Sequence, residues 1–463
     1  MNQIIADRRI IRAHAKSVRQ IILNIEAPNQ TGNERLPVNI AIALDTSESM
    51  EGKKLELAKV AIIEGLERLG PQDGFAFVHF ARDAYTTVSF TQASPAAIEL
   101  AKAAIETVWT GGVTNLGEGL LHAYAELNFP EEKTINRCLI LTDGIANRGI
   151  TETSDFVALV KAGARRNITT STIGMGSDYD DDVLRRIALS GKGNFYRARR
   201  SQEIMNCVEQ EFGESMQVGA CDVSVRLDIP KGVVARVLSD YATIERAGTI
   251  DIALGDLISG QITEVIVEVE FDGLASEASR IIEVEVGESG DPFNSRFILN
   301  YELGSAEEVD AQVPDPEARF RVGQIHGALA TREAVLLNRW GRHVEAQRFI
   351  MQAAQAIRER SAGDQRMKGL ADELERRSLS FRKPMPEPDR KDWTSWTSIS
   401  CRCVIVPAVK KRSKPPEGPE RPWLKLVKEK PRAAEATLEI DRETVVGVPR
   451  SAQSMTELGG IHN

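Results

Sequence analysis

The sequence predicts an α/β, doubly wound, Rossmann-like domain inserted in a β-sandwich, followed by a small helical region and a largely disordered tail. Three patterns carry this prediction: strand-like and helix-like segments that alternate over residues 38–213, period-two apolar patterning on both sides of that block, and a proline-rich end. The predicted divisions are residues 1–36 for the first strands of the sandwich, 37–216 for the α/β domain, 217–305 for the rest of the sandwich, 315–378 for a helical hairpin or bundle, and 382–463 for the tail.

The α/β block contains strands that the pattern predicts to be buried on both faces. Residues 38–44 form a continuous apolar run that ends at Asp45, and residues 137–142 form another that ends at Asp143. The other predicted elements of the block are helices at 55–69, 95–108, 116–127, 156–166, 183–189 and 204–212, and strands at 75–80, 168–173 and 194–197. Their alternation predicts a doubly wound parallel sheet, in which ligands bind at the carboxyl ends of the strands.

The apolar period changes to two after Val218. Val223, Val225 and Leu227 alternate with polar residues, and the same alternation returns at 265–271 and 282–286. Strands without intervening helices are typical of an antiparallel sandwich. Residues 17–25 also form a predicted strand, although they precede the α/β block. We therefore expect this early strand to pair with the later ones.

The last third of the chain is predicted to be helical and then disordered. Helices are expected at 318–337, 344–358 and 365–377, joined by a turn at 340–343. Ten of the 19 prolines lie after residue 382, together with a basic run. Such a composition favours disorder, because too little apolar surface can be buried. Two short apolar pieces, 403–409 and 423–427, are the parts that would dock on a partner or on the body of the protein.

Composition narrows the class of protein. The chain has 463 residues, 42% hydrophobic and 27% charged, and its net charge is −9, which argues against bulk nucleic-acid binding. It contains no apolar run long enough for a membrane span, and its first residues lack the apolar segment of a signal peptide. The five cysteines are scattered and odd in number, unlike a secreted disulfide framework. Cys401 and Cys403 could form half a metal site, but unpaired thiols are favoured. These features predict a cytoplasmic protein.

Three short motifs supply oxygen ligands. The first is Asp-Thr-Ser-Glu-Ser at 45–49, the second is Gly-Gly-Val-Thr-Asn around Thr114, and the third is Leu-Thr-Asp-Gly around Asp143. Each alone has a structural explanation, because Asp and Ser cap helices and Thr-Asp-Gly forms turns. All three together favour a hard cation that keeps some of its waters, Mg²⁺ with Mn²⁺ as the alternative. The candidate ligands are Asp45, Ser47, Ser49, Thr114 and Asp143.

The order of these motifs resembles the von Willebrand factor A domain, whose signature is the metal-ion-dependent adhesion site. The resemblance covers roughly residues 37–215, and the flanking strands look like the bacterial intracellular members of that family. It implies that Ser47 and Ser49 bind Mg²⁺ through their hydroxyls, that the other three candidates bind it directly or through water, and that an Asp or Glu of a partner completes the site. One position departs from many bacterial members, which have glycine where this chain has Glu48. A larger side chain there would repel an acidic ligand or change the loop.

No catalytic motif accompanies the site. The sequence lacks a G-x-x-x-x-G-K-[ST] phosphate loop and an H-E-x-x-H motif, and its six histidines are dispersed. The sequence therefore predicts not an enzyme but a Mg²⁺-dependent protein–protein interaction module or adaptor. The resemblance implies a partner such as an AAA+ ATPase or a kinase/phosphatase system. The alternative is a non-catalytic subunit of an AAA+ ATPase or chelatase-like complex, and a surface adhesin is disfavoured.

Overall fold

The computed structural model describes residues 2–29, 35–127, 134–272, 280–288, 291–387, 389–390, 393 and 404–405. Most of the predicted tail, with Cys401, Cys403 and the apolar piece 423–427, lies outside these residues. The described chain begins with three strands: β1 (Gln3–Ala6), β2 (Ile10–Arg12) and β3 (Ser17–Glu26). Strands and helices then alternate: β4 (Val38–Asp45), α1 (Lys53–Leu66), β5 (Gly74–Phe80), β6 (Ala84–Gln92), α2 (Pro95–Glu106), α3 (Leu116–Glu126), β7 (Ile135–Thr142), α4 (Thr153–Ala164), β8 (Ile168–Met175), α5 (Asp181–Ser190), β9 (Lys192–Ala198) and α6 (Ser201–Ser215).

The alternating elements form a six-stranded sheet in the order β6-β5-β4-β7-β8-β9. Every residue of the central strands β4 and β7 is buried, as their continuous apolar runs predict. One apolar core lies between the sheet and α1, α2 and α6, and a second lies between the opposite face and α3, α4 and α5. The doubly wound fold predicted from the sequence is therefore confirmed.

The edge strand β6 differs from the prediction. It pairs antiparallel with β5, whereas the other neighbours in the sheet run parallel. The sequence analysis predicted no strand here and a wholly parallel sheet. The reason lies in the residues: 84–92 are rich in threonine and mostly half-buried, because an edge strand on this sheet is covered incompletely. Neither an apolar run nor a regular alternation marks it.

Eight strands follow: β10 (Val218–Asp228), β11 (Val233–Val237), β12 (Ala242–Arg246), β13 (Thr249–Ile258), β14 (Ile262–Phe271), β15 (Ile281–Glu288), β16 (Asp291–Asn300) and β17 (Glu302–Gly304). Strand β17 pairs with β2 in a separate two-stranded sheet, and the other seven join β1 and β3 in the sandwich. Its two sheets have the orders β1-β3-β14-β11 and β12-β13-β10-β15-β16. Strand β3 pairs antiparallel with β14 from Ser17 opposite Phe271 to Glu26 opposite Ile262. The predicted insertion of the α/β domain between two parts of a sandwich is therefore confirmed.

A helical region follows: α7 (Ala306–Ala311), α8 (Pro316–Arg339), α9 (His343–Glu359) and α10 (Gln365–Ser378). Helices α8 to α10 pack around a shared apolar core, as predicted. Helix α8 also covers the outer face of the first sandwich sheet, where Ile22 of β3 and Ile266 of β14 contact it. The middle of β3 is thus buried on both faces, at Ile22 as well as at Ile21 and Leu23. In the part of the chain that the structure describes, no helix is long and apolar enough to cross a bilayer.

The start of the tail also differs from the prediction. Met385 is buried, and its N–H donates to Asn338 Oδ1 of α8 at 3.0 Å. The ring of Trp393 packs edge-on against Phe381, with 5.6 Å between their centroids. Two further residues, β18 (Val404–Ile405), pair with the first residues of β14. Disorder beginning at residue 382 is therefore wrong for these residues, because apolar side chains after 382 complete the helical core.

Candidate metal centre

The ends of β4 and β7 bring the two motif carboxylates together. These strands are parallel neighbours, with Leu44 opposite Leu141, so Asp45 and Asp143 leave the same edge of the sheet side by side. After Asp45 the chain makes a short 3-10 turn, Glu48–Met50, before α1 begins. This tight turn holds both motif serines next to the strand ends, at the edge where parallel sheets bind ligands.

Four of the predicted ligands form one connected set of oxygen atoms. Asp45 Oδ1 accepts a hydrogen bond from the Ser47 N–H at 2.8 Å. The hydroxyls of Ser47 and Ser49 lie 3.2 Å apart, and the Ser49 hydroxyl donates to Asp143 Oδ1 at 2.6 Å. The spacing of two in the first motif therefore places both hydroxyls between the two carboxylates.

Thr114 lies near the other four residues, beside a small gap that exists because residue 144 is a glycine. A Cβ atom on Gly144 would lie 2.8 Å from Thr114 Oγ1 and 3.7 Å from Asp45 Oδ2, so the hydroxyl and the carboxylate face the same space. The side chain of Asn147 fixes the threonine loop, because its Oδ1 accepts from the Thr114 N–H at 2.9 Å. Asn115 caps α3. Both asparagines thus shape loops.

The site is buried at its base and open at its mouth. Asp45 and Asp143 are fully buried, Thr114 is 3% exposed, and Ser49 and Glu48 are exposed. Burial raises the pKa of the Asp45 carboxyl to about 6, although hydrogen bonds from Thr142 and Ser47 oppose the rise. Two buried carboxylates in one place are costly without a compensating positive charge, so the site suits a positively charged group.

Three residues of the site were missed by the sequence analysis. The Thr142 hydroxyl donates to Asp45 Oδ2 at 2.5 Å, and Gly144 leaves the gap described above. The Lys54 ammonium forms an ion pair with Asp143 Oδ2 and donates to the Ser49 carbonyl at 3.2 Å. Nothing in the sequence marks Lys54, because a lysine in the first turn of a surface helix is usually solvated. Thr142 and Gly144 flank Asp143 and were visible only as parts of its motif.

The donor set fits a hard divalent cation. It offers two carboxylates and three hydroxyls, with no imidazole or thiolate, which suits Mg²⁺ or Mn²⁺ better than Zn²⁺. Across the described ranges, no cluster of three or more His, Cys, Asp or Glu side chains offers a different kind of metal site. The mouth at Ser49 leaves room for a further ligand from outside the chain.

A cleft adjoins the site on the side of β6. Its volume is about 670 Å³, and Thr46, Gly111 and Gly112 from the site loops form one wall. Tyr85 and Trp109 line the same cleft and are 56% and 81% exposed. Exposed aromatic side chains of this size are enriched where proteins bind one another.

Comparison with curated proteins gives relatives from bacteria and from a mammal. The uncharacterized protein sll0103 of Synechocystis is 25% identical over 296 residues, covering 62% of this chain and 70% of that protein. YfbK of Escherichia coli is 28% identical over 54% of this chain and 44% of its own length. The inter-alpha-trypsin inhibitor heavy chain H1 of Bos taurus is 31% identical over 40% of this chain and 21% of its own length. The chain thus spans less than half of the last two relatives.

Two solved structures share most of the fold. A von Willebrand factor type A protein from Catenulispora acidiphila superposes with a TM-score of 0.62 at 18% identity, covering 83% of this chain and 97% of that one. The ArnB paralog VWA2 from Sulfolobus acidocaldarius gives 0.61 at 15% identity, covering 87% and 98%. The shared architecture therefore extends beyond the central sheet.

The central domain of the chain matches a known domain family. The sequence profile of the von Willebrand factor type A domain matches residues 39–210, which include β4 to β9 and the whole oxygen set. Residues 39–210 of this chain are a von Willebrand factor type A domain.

Proposed function

We propose that this chain is a Mg²⁺-dependent protein–protein interaction module, an adaptor that binds an acidic residue of a partner through its metal. Mn²⁺ is the alternative ion. The observation that carries the proposal is the convergence of Asp45, Ser47, Ser49, Thr114 and Asp143 at one edge of the sheet, around the gap at Gly144. Their role as ligands is part of the proposal.

The number and charge of the donors support this role. Mg²⁺ takes six oxygen ligands at about 2.0–2.1 Å and usually keeps some water. The five donors fill at most five of these positions, so at least one remains for water or for an oxygen from outside, and the exposed mouth at Ser49 makes that position accessible. A carboxylate from a partner supplies both the oxygen and a further negative charge. We therefore propose a non-catalytic role in which the metal links two proteins.

The cleft beside the site indicates that a partner would contact the cleft as well as the metal. The loop that carries Thr114 also forms the wall of the cleft at Gly111 and Gly112. A partner whose acidic residue reaches the metal would place neighbouring apolar side chains near Tyr85 and Trp109. The compartment we propose is the cytoplasm, because Cys138 and Cys207 are buried thiols that form no disulfide.

Titration calorimetry with Mg²⁺ tests the metal directly. The purified chain should bind one ion, and Asp45→Ala should abolish binding while the circular dichroism spectrum stays unchanged. Asp83→Ala removes an exposed carboxylate on a nearby loop and should bind like the native chain. Native protein that takes up no Mg²⁺ or Mn²⁺ at millimolar concentration would contradict the proposal.

Affinity capture tests the partner. Immobilised native chain should retain a partner from a cell lysate in Mg²⁺ and release it in EDTA, and Asp45→Ala should retain none of it. Retention that is equal in Mg²⁺ and EDTA would show that the metal does not make the contact.

A further inference from the structure

We propose that Lys54 is an internal competitor for the metal, whose ammonium must give up Asp143 when a divalent cation binds. This inference rests on the proposed metal function of the site. It goes beyond that function because it gives Lys54, which is not one of the proposed ligands, control of the metal affinity.

The contacts of Lys54 hold its ammonium inside the site. Lys54 is the second residue of α1, and its Nζ contacts Asp143 Oδ2 and donates to the Ser49 carbonyl at 3.2 Å. A Cβ atom on Gly176, just after β8, would lie 3.5 Å from Nζ, so a second loop packs against the ammonium. The Lys54 side chain is 30% exposed, and that of Asp143 is fully buried. The charge is therefore held between two loops at the rim of the site.

The Lys54 ammonium and a metal ion would both bind the carboxylate of Asp143. Asp143 Oδ1 accepts from the Ser49 hydroxyl, and Oδ2 accepts from Lys54, so both oxygens of this carboxylate are engaged. A divalent ion bound by Asp143 and Ser49 would lie within a few ångströms of Nζ. Two positive charges at such a distance repel each other, and the half-buried surroundings screen them less than water does. Lys54 should therefore weaken metal binding.

The sign of the effect separates this role from a structural one. If Lys54 only held Asp143 in position, its removal would loosen a ligand and weaken metal binding, as the loss of residues behind metal ligands usually does. If Lys54 competes with the metal, its removal strengthens binding. The two roles thus predict opposite changes for one substitution.

The experiment is a Mg²⁺ titration by calorimetry on four full-length chains. Lys54→Met keeps the length of the side chain and removes the charge, so it should bind Mg²⁺ roughly tenfold more tightly than the native chain. Lys54→Arg keeps the charge and should stay within about threefold of native. Lys53→Met is the matched control, because Lys53 is the exposed neighbour on the same helix, and it should bind like native.

Melting in EDTA supplies a readout that needs no metal. Lys54→Met should lower the melting temperature, whereas Lys54→Met added to Asp143→Asn should lower it less, because the ion pair is already lost. Additive effects of the two substitutions would show that no ion pair exists and would overturn the inference.

The outcomes separate this inference from the proposed function. If the native chain binds Mg²⁺ and Lys54→Met binds it equally or more weakly, the competitor role is wrong and the metal site stands. If only Lys54→Met binds Mg²⁺, the competitor role is supported, whereas the Mg²⁺-dependent function proposed for the native chain is contradicted. If neither chain binds Mg²⁺ at millimolar concentration, the proposed metal function is wrong, and the competitor role falls with it.

Discussion

Arg137 and Asp256 join the inserted domain to the sandwich by a buried ion pair. Arg137 Nη2 of β7 lies 3.2 Å from Asp256 Oδ2 of β13, and Nη1 lies 3.8 Å from Glu211 of α6. The side chains of Arg137, Glu211 and Asp256 are 6%, 1% and 11% exposed. The strand that leads to Asp143 is therefore connected by charge to both the last helix of its own domain and the neighbouring domain.

Arg137→Met should destabilise the protein by about 3–5 kcal/mol, because it leaves two buried carboxylates without their counter-charge. Urea unfolding followed by tryptophan fluorescence measures the change. The control is Arg226→Met, which removes a 53% exposed arginine from its pair with Asp251 and should cost far less, because solvent screens an exposed ion pair. Equal losses for the two variants would show that burial of the Arg137 cluster has no energetic consequence.

Gly144→Ala should weaken Mg²⁺ binding roughly tenfold with little effect on stability, because the added methyl group would displace the Thr114 hydroxyl. Calorimetric Mg²⁺ titration checks the affinity, and thermal melting in EDTA checks the fold. Gly111→Ala is the control on the threonine loop, since its Cβ would meet nothing within 4 Å. Unchanged affinity in Gly144→Ala would argue against Thr114 as a ligand.

Leu23→Ala should cost about 2–5 kcal/mol, because the side chain of this β3 residue is 2% exposed and packs in the sandwich core. The loss should appear in urea unfolding as an earlier transition. Leu100→Ala removes a leucine that is 74% exposed on α2 and should change stability by less than about 0.5 kcal/mol. If Leu23→Ala left the stability unchanged, the first strands would contribute little to the stability of the sandwich.

Asp73 should make stability depend on pH in acid. Burial favours the neutral carboxyl, but hydrogen bonds from Arg35, the Val38 N–H and the Gly70 N–H outweigh it and hold the pKa of Asp73 below its ordinary value of 3.8. Its contribution is therefore fully present above about pH 4 and is lost as the pH falls through the lower folded-state pKa.

The corresponding variant is Asp73→Asn, which should lose about 1–3 kcal/mol at pH 7. Its difference from the native chain should shrink as the pH falls below about 3.8, because the unfolded chain then takes up a proton on Asp73 before the folded chain does, and the stabilisation is lost once the folded carboxyl is neutral too. Urea unfolding at several pH values measures this convergence. Asp178→Asn, which changes an exposed carboxylate, should show no such pH dependence. If the difference in stability between the two chains stayed constant down to pH 3, protonation of Asp73 would have no effect on stability.

Sequence patterns predicted the parts of this protein that are regular and fully buried. The apolar runs of β4 and β7 and the period-two pattern of β10 and β14 could be recognised because burial leaves few residue types acceptable there. The edge strand β6 could not, because half-buried positions accept many residue types. The same limit explains why the packing of Met385 and Trp393 after residue 382 was not foreseen, since each is an isolated apolar residue in a polar, proline-rich stretch.

Some residues of the candidate site could likewise be predicted from the sequence, and others could not. Its five predicted ligands lie in three motifs with short internal spacing, so the sequence contains most of the information about them. The contacts of Lys54 with Asp143 and of Arg137 with Asp256 join positions far apart in the chain. A charged side chain has a solvated alternative almost everywhere, and only the folded backbone shows that these two turn inward.

The discontinuous sandwich sets an order of events during synthesis. Strand β3 leaves the ribosome early, yet the strand β14 that pairs with it is made only after the entire inserted domain. Until then β3 has β1 as its earlier partner and exposes Ile22 on one face and the row Ile21, Leu23 and Ile25 on the other. The inserted domain has its own apolar cores, and the sandwich closes only after it has been made, by a contact of long sequence separation. Nascent chains therefore carry an apolar strand that requires protection until translation has passed β14 and, for its outer face, α8.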